Sequence, residues 1–182
     1  TIMDWLLSQF AGLFDAIGHI LLVVLLNIER FFLWLPWWLV IVLVGVASWR
    51  IMRSWWMGLG MAILLVLIGS FGYWELSMMT LGLTAAAVVV SLAVGIPVGI
   101  AMAKSDIVES IIRPILDAMQ TMPSFVYLIP ALMLFGLGKV PALFATLIYS
   151  VPPVIRLTNV GIRQVSEEVI EAARAFGASS RQ

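Results

Sequence analysis

Cysteine, histidine and charged residues are scarce in this sequence, and each shortage excludes a class of protein. No cysteine occurs among the 182 residues, which excludes a small secreted domain held together by disulfide bonds. Charged residues make up 11% of the chain and hydrophobic residues 63%, whereas soluble domains carry about 25% and about 45–50%, respectively. A soluble globular enzyme and a disordered tail are therefore excluded, and a membrane protein is the class that remains.

Neither sign of charge is in excess. The ten Lys and Arg residues equal the ten Asp and Glu residues in number, so the formal net charge is zero. Without a basic excess to neutralise phosphates, we expect no binding to nucleic acid. Phosphate-binding glycine loops, His/Cys clusters and nucleophile elbows are also missing from the sequence, and the single histidine, His19, is better explained as an interfacial side chain than as a ligand. We therefore expect no catalytic residue, no metal site and no cofactor in this chain.

Charged residues divide the rest of the chain into long apolar runs. A helix rises about 1.5 Å per residue and the hydrocarbon core of a bilayer is about 30 Å thick, so a span needs roughly 20 residues. Four uncharged runs meet this requirement, and a fifth is short but continues beyond Arg156 through further uncharged residues. The sequence therefore predicts five spans, at residues 31–49, 54–74, 76–103, 118–138 and 140–155, the last continuing to 160.

The N-terminal stretch has a different pattern. The uncharged run between Asp15 and Glu29 is too short for a span, and polar side chains interrupt an apolar face that recurs at helical spacing. We predict that residues 4–28 form an amphipathic helix that lies along the membrane surface or packs against the bundle. A sixth, tilted span is the alternative.

The placement of the basic residues predicts the orientation. If the turn between Arg50 and Arg53 is cytoplasmic, five alternating spans put eight of the ten basic residues inside and only Arg30 and Lys139 outside. Cytoplasmic loops of membrane proteins carry such an excess of Lys and Arg. The C-terminal segment is therefore predicted to be cytoplasmic.

The predicted spans hold no ionisable side chain in their interiors. Proton-coupled carriers usually need such a residue to carry the coupling charge, so a carrier of that kind is disfavoured. Sodium coupling through backbone carbonyl groups stays open. Energy for any transport is then expected to come from outside this chain.

Small residues and prolines mark three of the spans. Gly95 and Gly99 form a pair that permits close helix packing, and Pro97 between them weakens the helical hydrogen-bond ladder, so either a tolerated kink or a gate hinge would explain this stretch. Prolines also interrupt the fourth and fifth spans, and broken helices are tolerated at membrane depth when they are buried in protein or line a water-filled path. A pathway and ordinary kinks both remain open, and the pathway candidates at the first break are Gln120, Thr121, Pro123 and Tyr127.

Residues 105–121 and 163–182 have the pattern of amphipathic surface helices. In the first, Asp106 can cap the first turn, with Glu109 as in a capping box. Its apolar stripe consists of Ile107, Val108, Ile111, Ile112, Ile115, Leu116 and Met119. In the second, Ser166 is a natural N-cap and Gly177 fits the C-terminal end. Its apolar and small face would suit a groove on a partner protein and consists of Val169, Ile170, Ala173 and Phe176, whereas a plain loop helix with a Glu171–Arg174 pair is the alternative.

Several motifs resemble those of one transporter family. Glu171-Ala172-Ala173, followed after three residues by Gly177, resembles the EAA motif of permease subunits of binding-protein-dependent ABC importers. Residues 113–130, together with 95–100 and 152–158, resemble the glycine betaine/proline betaine/choline branch of that family. The strong resemblance covers about residues 80–182, and the N-terminal third matches in organisation more than in motif.

The resemblance implies a type I importer permease in a bacterial inner membrane. Such a permease pairs with a second permease copy and with a cytoplasmic ATPase dimer, which binds ATP and Mg²⁺, and receives solute from a binding protein or a fused binding domain. Glu171, Ala172, Ala173 and Gly177 would then belong to the coupling helix that docks on the ATPase. A quaternary ammonium solute would pass aromatic faces by cation–π contact, for which the candidates are Phe125, Tyr127 and Tyr149.

The predicted fold is therefore an all-α, polytopic membrane bundle of the importer-permease type. Its expected parts are an N-terminal scaffold helix (1–30), a transmembrane hairpin (31–74), a partial permease core (75–162) and a truncated coupling helix (163–182). In the family the chain continues through further spans, so we expect this chain to be part of a longer permease. An ion-coupled secondary carrier or channel and a non-transporting membrane scaffold are the alternative functions.

Overall fold

The structure is a computed structural model that describes the backbone of residues 2–178, and the side chains of residues 12–178 other than 124, 173 and 174. In this part of the chain every regular element is a helix, which confirms the predicted all-α class. The helices are α1 (Ile2–Trp34), α2 (Trp37–Met52), α3 (Trp55–Ser70), α4 (Trp74–Lys104), α5 (Asp106–Thr121), α6 (Ser124–Phe135), α7 (Lys139–Arg163) and α8 (Glu167–Ala175).

The number of candidate spans differs from the predicted five. Among the described residues, three helices are long and apolar enough to cross a membrane, namely Gly12–Trp34 within α1, α4 and α7, and α5 with α6 form a bent pair that would make a fourth. The helices α2 and α3 have only 16 residues each, fewer than the roughly 20 that a bilayer requires. Two turns divide the uncharged runs from which five spans were predicted. Pro36 separates α1 from α2, and Gly72, with a φ of +77°, lies in the turn after α3.

The N-terminal helix supports the alternative of a tilted span over the expected surface helix. It continues to Trp34, well past residue 28, and its segment Gly12–Trp34 has the length and hydropathy of a span. This segment contains Asp15, His19 and Glu29, and Glu29 is only 5% exposed. The prediction that spans lack ionisable side chains concerns five other segments of the chain. This additional candidate span contains such residues, which weakens the argument against a proton-coupled carrier.

The chain forms two compact units, Thr1–Ala86 and Ala87–Gln182. In the first unit, buried residues recur every four positions on α1 (Leu21, Leu25, Glu29) and on α4 (Met78, Gly82, Ala86). A Cβ atom on Gly82 would lie 2.9 Å from the Cα atom of Glu29. The absence of a side chain at Gly82 therefore lets the two backbones approach closely.

The helices α2 and α3 of the first unit form a tight hairpin. A Cβ atom on Gly58 would lie 2.6 Å from the carbonyl oxygen of Gly45, so this crossing depends on glycine. The turn between the helices places Arg53 at a φ of +51°, in the left-handed region that side chains other than glycine rarely occupy.

In the second unit, α4 and α7 are in contact through small residues. A Cβ atom on Gly95 would lie 2.6 Å from Cγ1 of Val154, and one on Gly99 would lie 2.5 Å from Cβ of Thr158. The close packing predicted from the Gly95–Gly99 pair is therefore confirmed. The helix continues through Pro97, and whether it serves as a gate hinge stays a prediction.

The N-cap of α5 is Ser105, one residue before the predicted cap residue, Asp106. The side chain of Ser105, rather than that of Asp106, accepts a hydrogen bond from the backbone N–H of Val108, because Ser105 has the extended backbone of an N-cap. The predicted apolar stripe is divided between two faces. Leu116 joins Met102 and Ile155 in a buried cluster against which Val108, Ile112 and Met119 pack, whereas Ile107, Ile111 and Ile115 are exposed.

Only one of the predicted proline breaks interrupts a helix. Met122 and Pro123 are extended and separate α5 from α6, where the chain bends by 100°. Pro130 lies inside α6, and Pro152 and Pro153 lie inside α7. A proline removes one N–H donor without ending a helix whose flanks are held by neighbours, so the expectation of a broken fifth span is wrong.

Candidate functional site

The predicted C-terminal helix forms where the sequence places it. Glu167 and Glu168 occupy the first turn of α8, and the carbonyl oxygen of Ser166 accepts a hydrogen bond of 3.3 Å from the N–H of Ile170. Gly177 follows the helix with a φ of +84°. This left-handed conformation is the one that favours glycine after a helix end, so the predicted role of Gly177 in ending α8 is confirmed.

The apolar side chains of α8 are exposed within the described part of the chain. Val169 is 60% exposed and Phe176, just after the helix, is 93% exposed. Glu171 and Ala172 of the motif are exposed as well, whereas the side chain of Ala173 lies outside the described residues. An apolar helix face that no other part of its own chain covers is the kind of surface that a partner protein covers.

Two of the predicted pathway residues come together in an open groove between α6 and α7. Phe125 and Tyr149 both line this groove, whose volume is about 430 Å³. The remaining lining side chains are small or aliphatic apart from Thr146, whose hydroxyl group donates to the carbonyl oxygen of Ala142 at 2.8 Å. The polar group of Thr146 is thereby satisfied, and the groove presents aromatic and aliphatic surface.

The other pathway candidates lie at the corner between α5 and α6. Gln120 and Thr121 end α5, Pro123 is in the break, and none of the three lines the groove. The hydroxyl group of Tyr127 donates to the carbonyl oxygens of Met119 at 3.0 Å and Ala118 at 3.2 Å. Tyr127 therefore satisfies carbonyl groups that the end of α5 leaves without helical partners. A part for these residues in the pathway stays a prediction.

The structure also joins polar residues of α5 and α7 that the sequence did not single out. The Nη2 atom of Arg163 lies 2.7 Å from Oδ1 of Asp106, 3.0 Å from Oε2 of Glu109 and 3.0 Å from the carbonyl oxygen of Met102. Asn159 connects the same groups, because its Nδ2 donates to Oε1 of Glu109 at 3.1 Å and its Oδ1 accepts from Nε of Arg163 at 3.1 Å. We call Asp106, Glu109, Asn159 and Arg163 the α5–α7 polar cluster.

A second ionic contact joins the same two helices farther along. Arg156 of α7 donates to the carboxylate of Asp117 on α5. A sequence signal for both contacts exists, since Arg156, Asn159 and Arg163 recur at spacings of three and four at the end of an otherwise apolar helix. That spacing puts them on one helix face, but it does not reveal which helix lies opposite.

Comparison with known proteins gives a consistent family assignment. Residues 95–182, which include all of α5 to α8, match the family model described as the inner membrane component of binding-protein-dependent transport systems. The chain is 41% identical over 182 residues to the permease protein ProW of the glycine betaine/proline betaine transport system of Escherichia coli (strain K12), covering 99% of this chain and 51% of that protein.

Two further relatives agree. The glycine betaine/carnitine transport permease protein GbuB of Listeria monocytogenes serotype 1/2a is 42% identical over 97% of this chain and 64% of its own length. The glycine betaine transport system permease protein OpuAB of Bacillus subtilis (strain 168) is 38% identical over 99% of this chain and 64% of its own length.

The chain spans about half to two thirds of the length of these relatives. The relatives are permease subunits, and the apolar helices of this chain are of a length and composition that cross a membrane. From these observations, residues 95–182 belong to the family of inner membrane components of binding-protein-dependent transport systems, and the whole chain is similar to permease subunits of such systems.

Proposed function

We propose that this chain is part of the permease subunit of an ATP-driven importer for a compatible solute of the betaine and choline class. The observation that carries the proposal is α8, a short exposed helix after the last candidate span, with the EAA residues and a glycine end. A carrier or channel would have this amphipathic helix only as a loop between spans, whereas an importer uses it as the surface that contacts the ATPase.

The proposed occupant of the α8 surface is a cytoplasmic ATPase. Val169 and Phe176 expose apolar surface, Ala172 adds little bulk, and Glu167 and Glu168 put negative charge at the N-terminal end. A helix of this kind fits into an apolar groove of a partner protein. The small side chain of Ala172 permits close approach, and Gly177 ends the helix, which is nine residues long.

The proposed substrate class draws on the relatives and on the groove. The names of the three relatives all include glycine betaine, a solute with a quaternary ammonium group. Phe125 and Tyr149 give the groove two aromatic faces among aliphatic side chains. Quaternary ammonium ions are attracted to aromatic faces, by about 0.5–2 kcal/mol per contact. We propose that the groove forms one wall of the pathway and that a second permease copy completes it.

The coupling assignment is tested in proteoliposomes that contain the full-length permease with its ATPase and its binding protein. We expect Glu171→Lys combined with Gly177→Asp to abolish both the solute-stimulated ATP hydrolysis and the uptake. The first substitution reverses a charge on α8, and the second disturbs the end of the helix. As the control, Glu75→Lys combined with Gly72→Asp makes the same two kinds of change at exposed positions outside α8, where Gly72 has a φ of +77°, and should retain both activities. Unchanged hydrolysis and uptake in the double variant would refute the assignment of α8.

The same preparation separates the alternative functions. Uptake that continues without ATP and ceases when an ion gradient is removed would favour a secondary carrier. Association with the ATPase without any solute flux would favour a membrane scaffold. The importer requires solute flux that depends on ATP and on the binding protein.

The aromatic groove is tested with substitutions at Tyr149. Tyr149→Phe keeps the aromatic face and should leave the KM for glycine betaine uptake nearly unchanged. Tyr149→Leu removes that face at similar size and should raise the KM by about 5-fold, the order expected for one partly exposed cation–π contact. Equal KM values for the two variants would exclude Tyr149 from solute contact.

A further inference from the structure

Apolar contacts hold the middle of α5 in place, and the α5–α7 polar cluster adds polar contacts to them at one end of the helix. Leu116 of α5 is buried against Met102 and Ile155, with Val108 and Ile112 packed around them. The polar cluster lies at the end of this contact, next to the helix cap at Ser105, and it adds a contact to the carbonyl oxygen of Met102 at the end of α4. Three helices of the second unit therefore meet at Arg163.

Asn159 gives the cluster a fixed geometry. Its side chain is 5% exposed, and both its amide nitrogen and its amide oxygen are used, toward Glu109 and Arg163, respectively. Burying a polar group costs free energy unless its hydrogen-bond partners are in place. Such a group therefore favours the one arrangement of the surrounding helices that supplies those partners. The cluster therefore fixes the register of α5 along α7.

The position of the cluster along the chain connects it to α8. Arg163 is the last residue of α7, and α8 begins at Glu167. The connection is held by hydrogen bonds from the N–H of Gln164 to the carbonyl oxygen of Val160 at 2.9 Å and from that of Val165 to the carbonyl oxygen of Ile162 at 3.4 Å. Displacement of α8 would therefore act directly on Arg163.

At its other end, α5 leads to the groove. It ends at Thr121, and the extended Met122–Pro123 break joins it to α6, the helix that carries Phe125 and Leu128 of the groove lining. Along its length α5 is tied to α7 a second time by the Asp117–Arg156 pair. A movement of α7 at Arg163 would therefore carry α5 with it and reach the corner at Pro123.

We propose that the α5–α7 polar cluster is the mechanical link that passes displacement of α8 to α5 and, through the Pro123 corner, to the groove. Asp106, Glu109, Asn159 and Arg163 act as positioning residues that keep α5 and α7 together as one body while α8 moves. The proposal rests on the proposed function, in which α8 is the surface that docks on the ATPase.

The test uses Arg163→Gln in the full-length permease, reconstituted with its ATPase and binding protein. This variant removes the positive charge that faces Asp106 and Glu109. We expect the ATPase to remain bound and active. The number of solute molecules imported per ATP hydrolysed should fall about 5- to 10-fold, which is in the lower range for a coupling between two sites. Arg113→Gln is the matched control, because Arg113 contacts Glu109 within α5 itself at 3.7 Å and is exposed. Its ratio should stay unchanged.

A crosslinking measurement covers the case in which Arg163→Gln does not fold. Asp117→Cys with Arg156→Cys, at a partly exposed contact between α5 and α7 outside the cluster, introduces two thiols, in a full-length chain otherwise freed of cysteine, that a short bifunctional maleimide can join. Because the proposal requires α5 and α7 to move as one body, the crosslinked permease should import solute at least as efficiently per ATP as the uncrosslinked one. Loss of import after crosslinking would mean that the two helices must separate, and the proposal would be wrong.

The same variants separate the role of α8 from the role of the polar cluster. If the α8 double variant leaves ATPase association and hydrolysis unchanged, the proposed function fails. If the α8 variant abolishes transport while Arg163→Gln leaves the ratio of solute to ATP unchanged, only the polar cluster loses its proposed role.

Discussion

The hydroxyl oxygens of Ser91 and Ser150 lie 2.6 Å apart and join α4 to α7 by a hydrogen bond. Ser91 is only 1% exposed, and Gly95 and Gly99 follow it at intervals of four residues on the same face of α4. Small side chains at this spacing bring two helix backbones close enough for such a bond to form. The serine pair therefore continues the close contact that the two glycines make with α7.

Removing either hydroxyl group should weaken this helix pair by a small amount. Hydrogen bonds between membrane helices contribute about 0.6 kcal/mol on average, so Ser91→Ala and Ser150→Ala should each lower the free energy of unfolding by roughly that much. Because both changes remove one bond, the double variant should lose little more than either single one. Unfolding in detergent mixtures measures this, and Ser70→Ala, whose hydroxyl group bonds only within its own helix, is the control.

A side chain at Gly99 should separate α4 from α7. The Cβ atom of an alanine would lie 2.5 Å from Cβ of Thr158 and 2.8 Å from the carbonyl oxygen of Ile155, and overpacking of this kind costs about 1–3 kcal/mol. Gly99→Ala should therefore lower the thermal midpoint of the purified protein.

Gly161 offers a matched control for that change. It lies in α7, and a Cβ atom there would meet nothing within 4 Å. Gly161→Ala should be neutral or stabilising, because alanine is the better helix former by about 0.5–1 kcal/mol. Equal destabilisation by the two substitutions would contradict the observed contact at Gly99.

Loss of the Tyr127 hydroxyl group should loosen the corner between α5 and α6. Tyr127→Phe leaves the ring and removes the bond to the carbonyl oxygens of Met119 and Ala118, a loss of about 1 kcal/mol. We expect faster amide hydrogen exchange at residues 118–124 and little change elsewhere. Tyr73→Phe, at an exposed position before α4, should leave the exchange of that corner unaltered.

Substitution of Gly177 should disturb the end of α8 and spare the rest of the protein. Gly177 has a φ of +84°. A residue with a Cβ atom adopts this conformation at a cost of about 1 kcal/mol, and the cost is highest for a β-branched residue. Gly177→Val should therefore weaken association with the ATPase, measured by co-purification, without changing the thermal midpoint. Gly177→Asn, a residue that tolerates this conformation better, should have a smaller effect.

Some features of this protein follow from the sequence alone because they depend on neighbouring residues or on composition. The membrane class follows from the lack of charge, the end of α8 from the conformational freedom of Gly177, and the close helix packing from the spacing of Gly95 and Gly99. The lengths of the helices did not follow from the uncharged runs, because Pro36 and Gly72 lie at turns inside those runs. A run of apolar residues sets an upper limit on helix length, and the turn residues set the actual one.

Other features were decided only by the tertiary structure, because they join residues far apart in the chain. The sequence predicted one apolar stripe on α5, but the crossing of α5 over α7 buried Leu116 and left Ile111 exposed. The same crossing paired Arg163 with Asp106, and Phe125 of α6 and Tyr149 of α7 came to line one groove. Composition and spacing determine which faces a helix has, whereas packing against other helices determines what each face meets.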